Sequence, residues 1–215
     1  MNDTRHDLHA LYEDAHLLVL DKPAGLLCVP GRGEDKQDCL SARALRRWPD
    51  ALVVHRLDMA TSGLVLMARS LAVQRALGDA FAAQEIWKRY EALVDGAIDG
   101  GAWSVIDAPL AADWPNRPRQ KVDPAGKPSI TRWRVLRALP AQHATHLLLE
   151  PRTGRTHQLR VHLASIGHPI LGDALYASDD VAARTPRLML HASVLQFRHP
   201  VTSDALRIES AVPFA

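Results

Sequence analysis

The sequence predicts an α+β fold built on a mixed sheet. Apolar stretches typical of strands outnumber helical patterns, and several follow one another with no helix between them. A doubly wound parallel sheet would instead alternate strand and helix. The composition, 47% hydrophobic and 23% charged over 215 residues, allows a sizeable core and about one domain.

The elements follow from local patterns. A polar tail is expected first, and the first strand is expected at Leu17. Asp38 is expected to cap a helix that runs to Trp48, and Ser70 to cap a second with apolar positions spaced i, i+3, i+4, i+7. Thr156 to Ile166 is a third predicted helix, which Gly167 ends. The predicted strands are residues 17–20, 51–54, 64–68, 90–94, 130–136, 145–149, 188–197 and 206–210.

The charge and cysteine patterns limit the class of protein. The net charge is only +2, but residues 115–137 hold seven basic side chains against one acid, either a phosphate-binding edge or a solvated loop. Cys28 and Cys39 form no CxxC pair, so both are predicted to be reduced thiols in a cytoplasmic protein. No signal peptide is recognised, and no apolar stretch approaches the ~20 residues of a membrane span.

Other chemistries have weak support. Among 11 histidines, His157 and His162 are five residues apart, about 140° around a helix, so they do not share a face. No HExxH or Cys-His cluster appears, and we predict no metal. The sequence GRG at 31–33 is interpreted as a turn. Ser62 lies outside any GxSxG motif, so a serine nucleophile is not supported.

The stretch HRLDMATSG, residues 55–63, places one carboxylate, Asp58, between two predicted strands. It is either a turn-capping residue or a functional one, because strand ends hold side chains firmly at the surface. A functional carboxylate needs a cation that keeps it ionised. The candidate partners are Arg56, Arg152, Arg155 and Arg160. Three of them lie in PRTGRTHQLR, residues 151–160, either an anion-binding helix start or a surface turn with solvated arginines.

The HRLDMATSG stretch resembles the catalytic motif of pseudouridine synthases, in particular the RluA family. Four further blocks resemble the other landmarks of the family in the same order. They are DKPAGLLCVPG at 21–31, KRYEALVDG at 88–96, PRTGRTHQLRVHLASIGHPILGDALYA at 151–177 and LHASVLQFRHP at 190–200. Together they cover nearly the whole chain.

The resemblance implies the pseudouridine synthase catalytic fold, with a mostly antiparallel mixed central sheet, flanking helices and loops, and an RNA-binding cleft. It implies isomerisation of uridine in RNA by base flipping, with no cofactor. Asp58 would be the essential aspartate, either a nucleophile at C1′ or a base at C2′. Arg160 would pair with it, and Tyr90 would stack on the target base. Arg56 would fill the space that the base leaves, and His55 would help to hold the turn.

The expected substrate-binding side chains are those of the motif loop, of the basic segment and of the 151–160 turn. They are His55, Arg56, Arg117, Arg119, Lys121, Arg155, Thr156, His157 and Gln158.

The stretch ADWPNRPRQKVDPAGKP at 112–128 resembles RluA-type members rather than larger relatives with an S4 domain. We therefore expect a tail over 1–16, a catalytic domain over 17–215 and no S4 domain, so that basic loops grip the RNA. The implied substrates are loop uridines of 23S rRNA and of the tRNA anticodon loop, and a monomer is expected. The alternatives are an RNA-binding protein that has lost the reaction and, far less supported, a glycoside hydrolase, which needs a second acid near Asp58.

Overall fold

The structure is a computed structural model that describes residues 8–214. The chain divides into two compact units. The first holds the described residues up to Trp87 together with Ala192–Ala211, and the second holds Lys88–His191 with the last described residues. None of the helices in the described part of the chain has the length and apolar character needed to cross a membrane.

The described residues form the following strands and helices, in chain order. They are β1 (His9–Glu13), β2 (Leu17–Lys22), α1 (Leu40–Arg47), β3 (Leu52–Val53), β4 (Ser62–Ala68), α2 (Leu71–Ala82), β5 (Trp87–Asp95), β6 (Ser104–Asp107), β7 (Leu110–Ala112), β8 (Gln120–Val122), β9 (Ile130–Leu139), β10 (Ala144–Pro151), α3 (Gln158–Ser165), α4 (Asp179–Ala183), β11 (Leu190–Arg198) and β12 (Ala205–Glu209).

The first unit is a sheet with one principal apolar core. Strand β2 pairs antiparallel with β1 and with β4, β3 pairs with β4, and β12 pairs with β11. Strand β4 is buried along its whole length. Helix α2 packs Val73 and Leu77 against this core, alongside Leu66 and Phe197. Each such side chain contributes roughly 1.5–3 kcal/mol to the free energy of folding by leaving water. Val54 and Leu64, at or next to the two ends of the 54–61 loop, belong to or pack against this core, so both ends of the loop are held in place.

The second unit is an antiparallel sheet in the order β5, β10, β9, β6, with β7 and β8 forming a separate hairpin. Helix α3 buries six consecutive residues, from Gln158 to Leu163. His162 ties this helix to the unit: Nδ1 lies 2.9 Å from Oγ1 of Thr131, and Nε2 lies 2.9 Å from the carbonyl oxygen of Ala108. Burial lowers the pKa of His162, so the neutral ring is favoured.

The α+β fold class is confirmed, and all eight predicted strands lie in observed strands or overlap them. The predicted Ser70 cap is also confirmed, since Oγ of Ser70 accepts the N–H of Val73 at 3.3 Å. Asp38 does not cap α1, because Sγ of Cys39 accepts the N–H of Ala42 instead. Helix α3 begins at Gln158, two residues later than predicted, since His157 adopts a left-handed conformation with φ 54°.

Part of the predicted tail forms a strand. Residues 1–7 lie outside the described residues, but His9–Glu13 is β1. A bulge between Ala10 and Tyr12 breaks the two-residue alternation of inward and outward side chains, which explains why the sequence pattern did not predict this strand. Strands β6, β7 and β8 and helix α4 were also missed, because each has only three to five residues. The domain bounds 1–16 and 17–215 stay a prediction.

Candidate active site

Asp58 lies in the loop between β3 and β4 and is partly exposed. Its carbonyl oxygen accepts the N–H of Thr61 at 3.1 Å, which closes a turn that returns the chain to β4. Gly63 follows with φ +109°, and a Cβ there would lie 2.3 Å from the carbonyl oxygen of Ala192. Only glycine fits this position, so the loop must enter β4 along one path.

The neighbours of Asp58 are hydrogen-bonded to the segment 22–28. The carbonyl oxygen of Met59 accepts the N–H of Gly25 at 2.8 Å and Nζ of Lys22 at 3.1 Å. On the other side, the N–H of Leu57 donates to Sγ of Cys28 at 3.2 Å. The loop is therefore held immediately before and after its carboxylate.

Lys22 is fully buried, which is costly for a charge unless the ammonium is satisfied. Besides Met59, it donates to the carbonyl oxygens of Pro23 at 2.9 Å and Leu26 at 2.8 Å. Burial raises the pKa of the Cys28 thiol. This effect outweighs the N–H of Leu57 and the charges of Lys22 and Arg56, which lower the pKa. Cys28 is thus a neutral support of the loop. The sequence predicted Cys28 only as a reduced thiol and gave neither residue a role in the site, although both lie in the DKPAGLLC stretch.

His55 and Arg56 have different environments. Nε2 of His55 accepts the N–H of Leu66 at 2.9 Å, and its ring lies 4.7 Å from the ring of Phe81. These contacts fasten the start of the loop to β4 and α2, in keeping with the expected help in holding the turn. Arg56 is exposed. Whether either residue contacts substrate stays a prediction.

Tyr90 lies on β5 opposite Leu149 of β10 and is half-buried. Lys88, two residues earlier, shares its side of the strand. Burial lowers the pKa of Lys88, and a Cβ on Gly154 would lie 3.8 Å from its Nζ. The second unit therefore places a desolvated amine beside the 151–160 turn, a feature that the sequence did not reveal.

Arg160 is buried in α3 and held by Asp173. Nε and Nη2 donate to the two carboxylate oxygens at 2.8 and 2.6 Å, a bidentate pair in which both side chains are at most 5% exposed. Oδ1 of Asp173 also accepts the N–H groups of Leu175 and Tyr176. Asp173 was missed by sequence reasoning, although it lies in the LGDALYA stretch that carried the family resemblance.

Tyr176 connects three parts of the second unit. Its ring lies 5.1 Å from the guanidinium carbon of Arg160, within the range of a cation–π contact. Its hydroxyl forms a 2.6 Å hydrogen bond with Nδ1 of His157 and accepts the N–H of Gln120 at 2.8 Å. The β7–β8 hairpin is thus tied to the residues around Arg160.

Gln158 holds the 151–160 turn together from the inside. It is buried, and its Oε1 accepts from Thr153 and from the N–H of Arg155, while Nε2 donates to Ile130 and Thr131. An amide with its bonds made inside the protein shapes the turn, and its contact with RNA stays a prediction. Arg155 and Thr156 remain exposed.

Five of the seven basic side chains in segment 115–137 fall into two groups. Arg117, Arg119 and Lys121 lie on the exposed hairpin, where Lys121 pairs with Asp123 at 3.1 Å. Arg132 and Arg134 lie on β9 and stack on Trp103, with their guanidinium carbons 4.6 and 5.3 Å from the centre of its ring. Arg132 also lies 3.5 Å from the carboxylate of Glu150. The hairpin group therefore presents the more accessible cations.

The structure thus places Asp58, Arg56 and His55 in the first unit and the other predicted site residues in the second. Within the second unit, Arg160 and His157 meet at Tyr176. Among residues 8–214, no group of three or more His, Cys, Asp and Glu side chains could hold a metal ion.

Comparison with known proteins identifies the class. Residues 16–165 match the model of the RNA pseudouridylate synthase family, a range that includes Asp58, Tyr90 and Arg160. The chain belongs to this family. It is therefore an enzyme that converts uridine in RNA to pseudouridine.

Individual relatives extend this result. The chain is 45% identical over 205 residues to the dual-specificity RNA pseudouridine synthase RluA of Escherichia coli K12, covering 95% of this chain and 93% of that protein. The protein of the same name from Haemophilus influenzae is 40% identical over 208 residues, 96% and 94% of the two chains. The solved structure of human RNA pseudouridylate synthase domain containing 1 is 27% identical with a TM-score of 0.83, covering 100% of this chain and 87% of that one.

Proposed function

We propose that the chain isomerises loop uridines in two classes of RNA, 23S rRNA and tRNA, with Asp58, Tyr90 and Arg160 as its catalytic residues. The dual-specificity names of the bacterial relatives, which span nearly the whole chain, support the two substrates. The resemblance of the motifs supports the residues and the anticodon loop as the tRNA target. Both cysteines are free thiols, which supports a reducing, cytoplasmic location. We also propose a monomer.

One observation carries the assignment of Asp58. Leu57 and Met59, on either side of it, are hydrogen-bonded to the segment 22–28, while Asp58 itself stays partly exposed. A reacting carboxylate needs this combination, because attack on a sugar carbon or removal of its proton requires a fixed direction and an open approach. A turn-capping aspartate would require no such support.

The remaining roles follow the resemblance. The resemblance makes Arg160 the basic partner of the aspartate, and the bidentate grip of Asp173 fixes the plane of its guanidinium group. Tyr90 stacks on the extruded base, an interaction worth about 1–3 kcal/mol. Asp58 acts either as a nucleophile at C1′ or as the base that removes the C2′ proton to give a glycal. Arg56 takes the place of the flipped base.

The proposal is tested by tritium release from RNA that carries 5-tritiated uridine, using a 23S rRNA fragment and a tRNA anticodon stem-loop. The wild type releases label from both, and Asp58→Asn releases none. Asp79→Asn, an exposed carboxylate on α2 of the same unit, serves as the matched control and keeps wild-type rates. Release by Asp58→Asn would remove Asp58 from its role. Binding of RNA without release by the wild type would favour the RNA-binding alternative.

A further inference from the structure

The tip of the β7–β8 hairpin, residues 113–119, holds an exposed aromatic ring. Trp114 is 67% exposed, the largest exposed fraction among the large apolar residues of the described chain. The guanidinium carbon of Arg117 lies 3.4 Å from the centre of its ring. Because Arg117 covers one face, the exposure of Trp114 leaves the other face accessible. Leaving a tryptophan in water has an energetic cost, which a ligand would recover.

The hairpin tip is braced by its own hydrogen bonds. The N–H of Asp113 donates to the carbonyl oxygen of Arg119, and Asn116 and Arg119 complete two further backbone hydrogen bonds at 3.0 Å. Nδ2 of Asn116 also donates to the carboxylate of Asp113 at 2.9 Å. A ring on such a loop loses little conformational entropy when a partner stacks on it.

The charge around the ring selects the partner. The stretch 110–128 carries four cations, Arg117, Arg119, Lys121 and Lys127, against two acids, Asp113 and Asp123. Asp113 is engaged by Asn116 and Asp123 by Lys121. A flat aromatic face amid cations fits an unstacked nucleobase with its phosphates, the way in which proteins hold single-stranded RNA loops.

We propose that Trp114, backed by Arg117, is a stacking platform for an unpaired base of the RNA substrate, distinct from the base that reacts. The inference rests on the proposed function, because it takes the RNA loop as the ligand. The hydrogen bond from Gln120 to Tyr176 ties the platform to the part of the unit that holds Arg160. A base captured at the tip therefore helps to place the RNA loop on the second unit.

The test compares Trp114→Ala and Trp114→Phe with the wild type on an anticodon stem-loop. Losing one stacked base raises KM and Kd by about 5- to 150-fold, with kcat changed less than about twofold. Phenylalanine recovers part of the loss. Val105→Ala, on β6 of the same unit and 58% exposed, is the control and leaves both constants unchanged. RNA quenches tryptophan fluorescence in the wild type, and this quenching is reduced in Trp114→Phe.

Salt dependence separates stacking from charge. Trp114→Ala lowers affinity without changing the slope of log Kd against log salt, whereas Arg119→Ala lowers the slope by about one unit. If Trp114→Ala has the Kd and KM of the wild type, Trp114 is not a stacking platform, but the proposed function still stands. If the wild type forms no pseudouridine, the proposed function fails, and the platform is then judged by the stem-loop Kd values alone.

Discussion

The buried pair of Arg160 and Asp173 allows a quantitative prediction for Asp173→Asn. The substitution keeps the shape of the side chain but removes its charge. The carboxylate accepts Nε and Nη2 of Arg160 and the N–H groups of Leu175 and Tyr176. An asparagine keeps only one of the two oxygens, so the guanidinium or the turn loses its acceptor.

The magnitude follows from burial. The two side chains are 5% and 0% exposed, so water neither screens the pair nor replaces the lost partner. Removing one member of a buried ion pair costs about 3–5 kcal/mol. For a chain of this size, about 2–4 °C is lost per kcal/mol, so we expect Tm to fall by roughly 6–20 °C. Under the role proposed for Arg160, catalysis falls as well, because its guanidinium group is no longer fixed in orientation.

Urea unfolding followed by circular dichroism measures the loss. Asp99→Asn, an exposed carboxylate of the same unit, is the control and stays within about 0.5 kcal/mol of the wild type. Combining Asp173→Asn with Arg160→Met should destabilise less than the sum of the single variants, with a coupling of about 0.5–3 kcal/mol. Additive effects, or an Asp173→Asn variant as stable as Asp99→Asn, would refute the reasoning.

Three further predictions concern other contacts. Lys22→Met leaves buried carbonyl oxygens without the ammonium group that they accept from, and it should lower the free energy of unfolding, measured in urea, by about 1–3 kcal/mol. It should also lower kcat, because the carbonyl oxygen of Met59 loses one of its two hydrogen-bond donors. Gly63→Ala should yield little soluble protein, measured as soluble yield, because its Cβ would meet the backbone of Ala192. Burial lowers the pKa of His162 below its ordinary value of 6.5. As the pH falls, the unfolded chain therefore takes up a proton on this ring at a higher pH than the folded chain does. The free energy of unfolding consequently falls as the pH drops from 6.5 toward the lowered pKa. His162→Gln should therefore lose less unfolding free energy between pH 7.5 and pH 5.5 than the wild type.

The controls for these predictions come from the same chain. Lys36→Met changes an exposed lysine and should alter neither stability nor kcat. Gly78→Ala, in α2 with no atom beyond its chain neighbours and the backbone of its own helix within 4 Å of the new Cβ, should stabilise by about 0.5–1 kcal/mol. Normal solubility of Gly63→Ala would contradict the steric argument. An equal pH slope in His162→Gln and the wild type would show that other groups cause the acid sensitivity.

Local patterns in the sequence determined the α+β class, the buried strands β2 and β4, the Ser70 cap of α2 and the loop that carries Asp58. These features depend on neighbouring residues, since apolar spacing reports which face of a segment is buried and a cap reports where a helix begins. The ordered motif blocks also identified the family, which the comparisons confirm.

Only the tertiary structure decided which groups meet across long stretches of chain. Lys22 reaches Met59 from 37 residues away, Asp173 grips Arg160 from 13 residues away, and Tyr176 accepts from Gln120 across 56 residues. Gln158 also turned inward, although Arg155 and Thr156 of the same turn stayed exposed. The physical reason is that a side chain's hydrogen-bond partner is set by the closure of the sheet and the loops around it, and this closure leaves no periodic trace in the sequence.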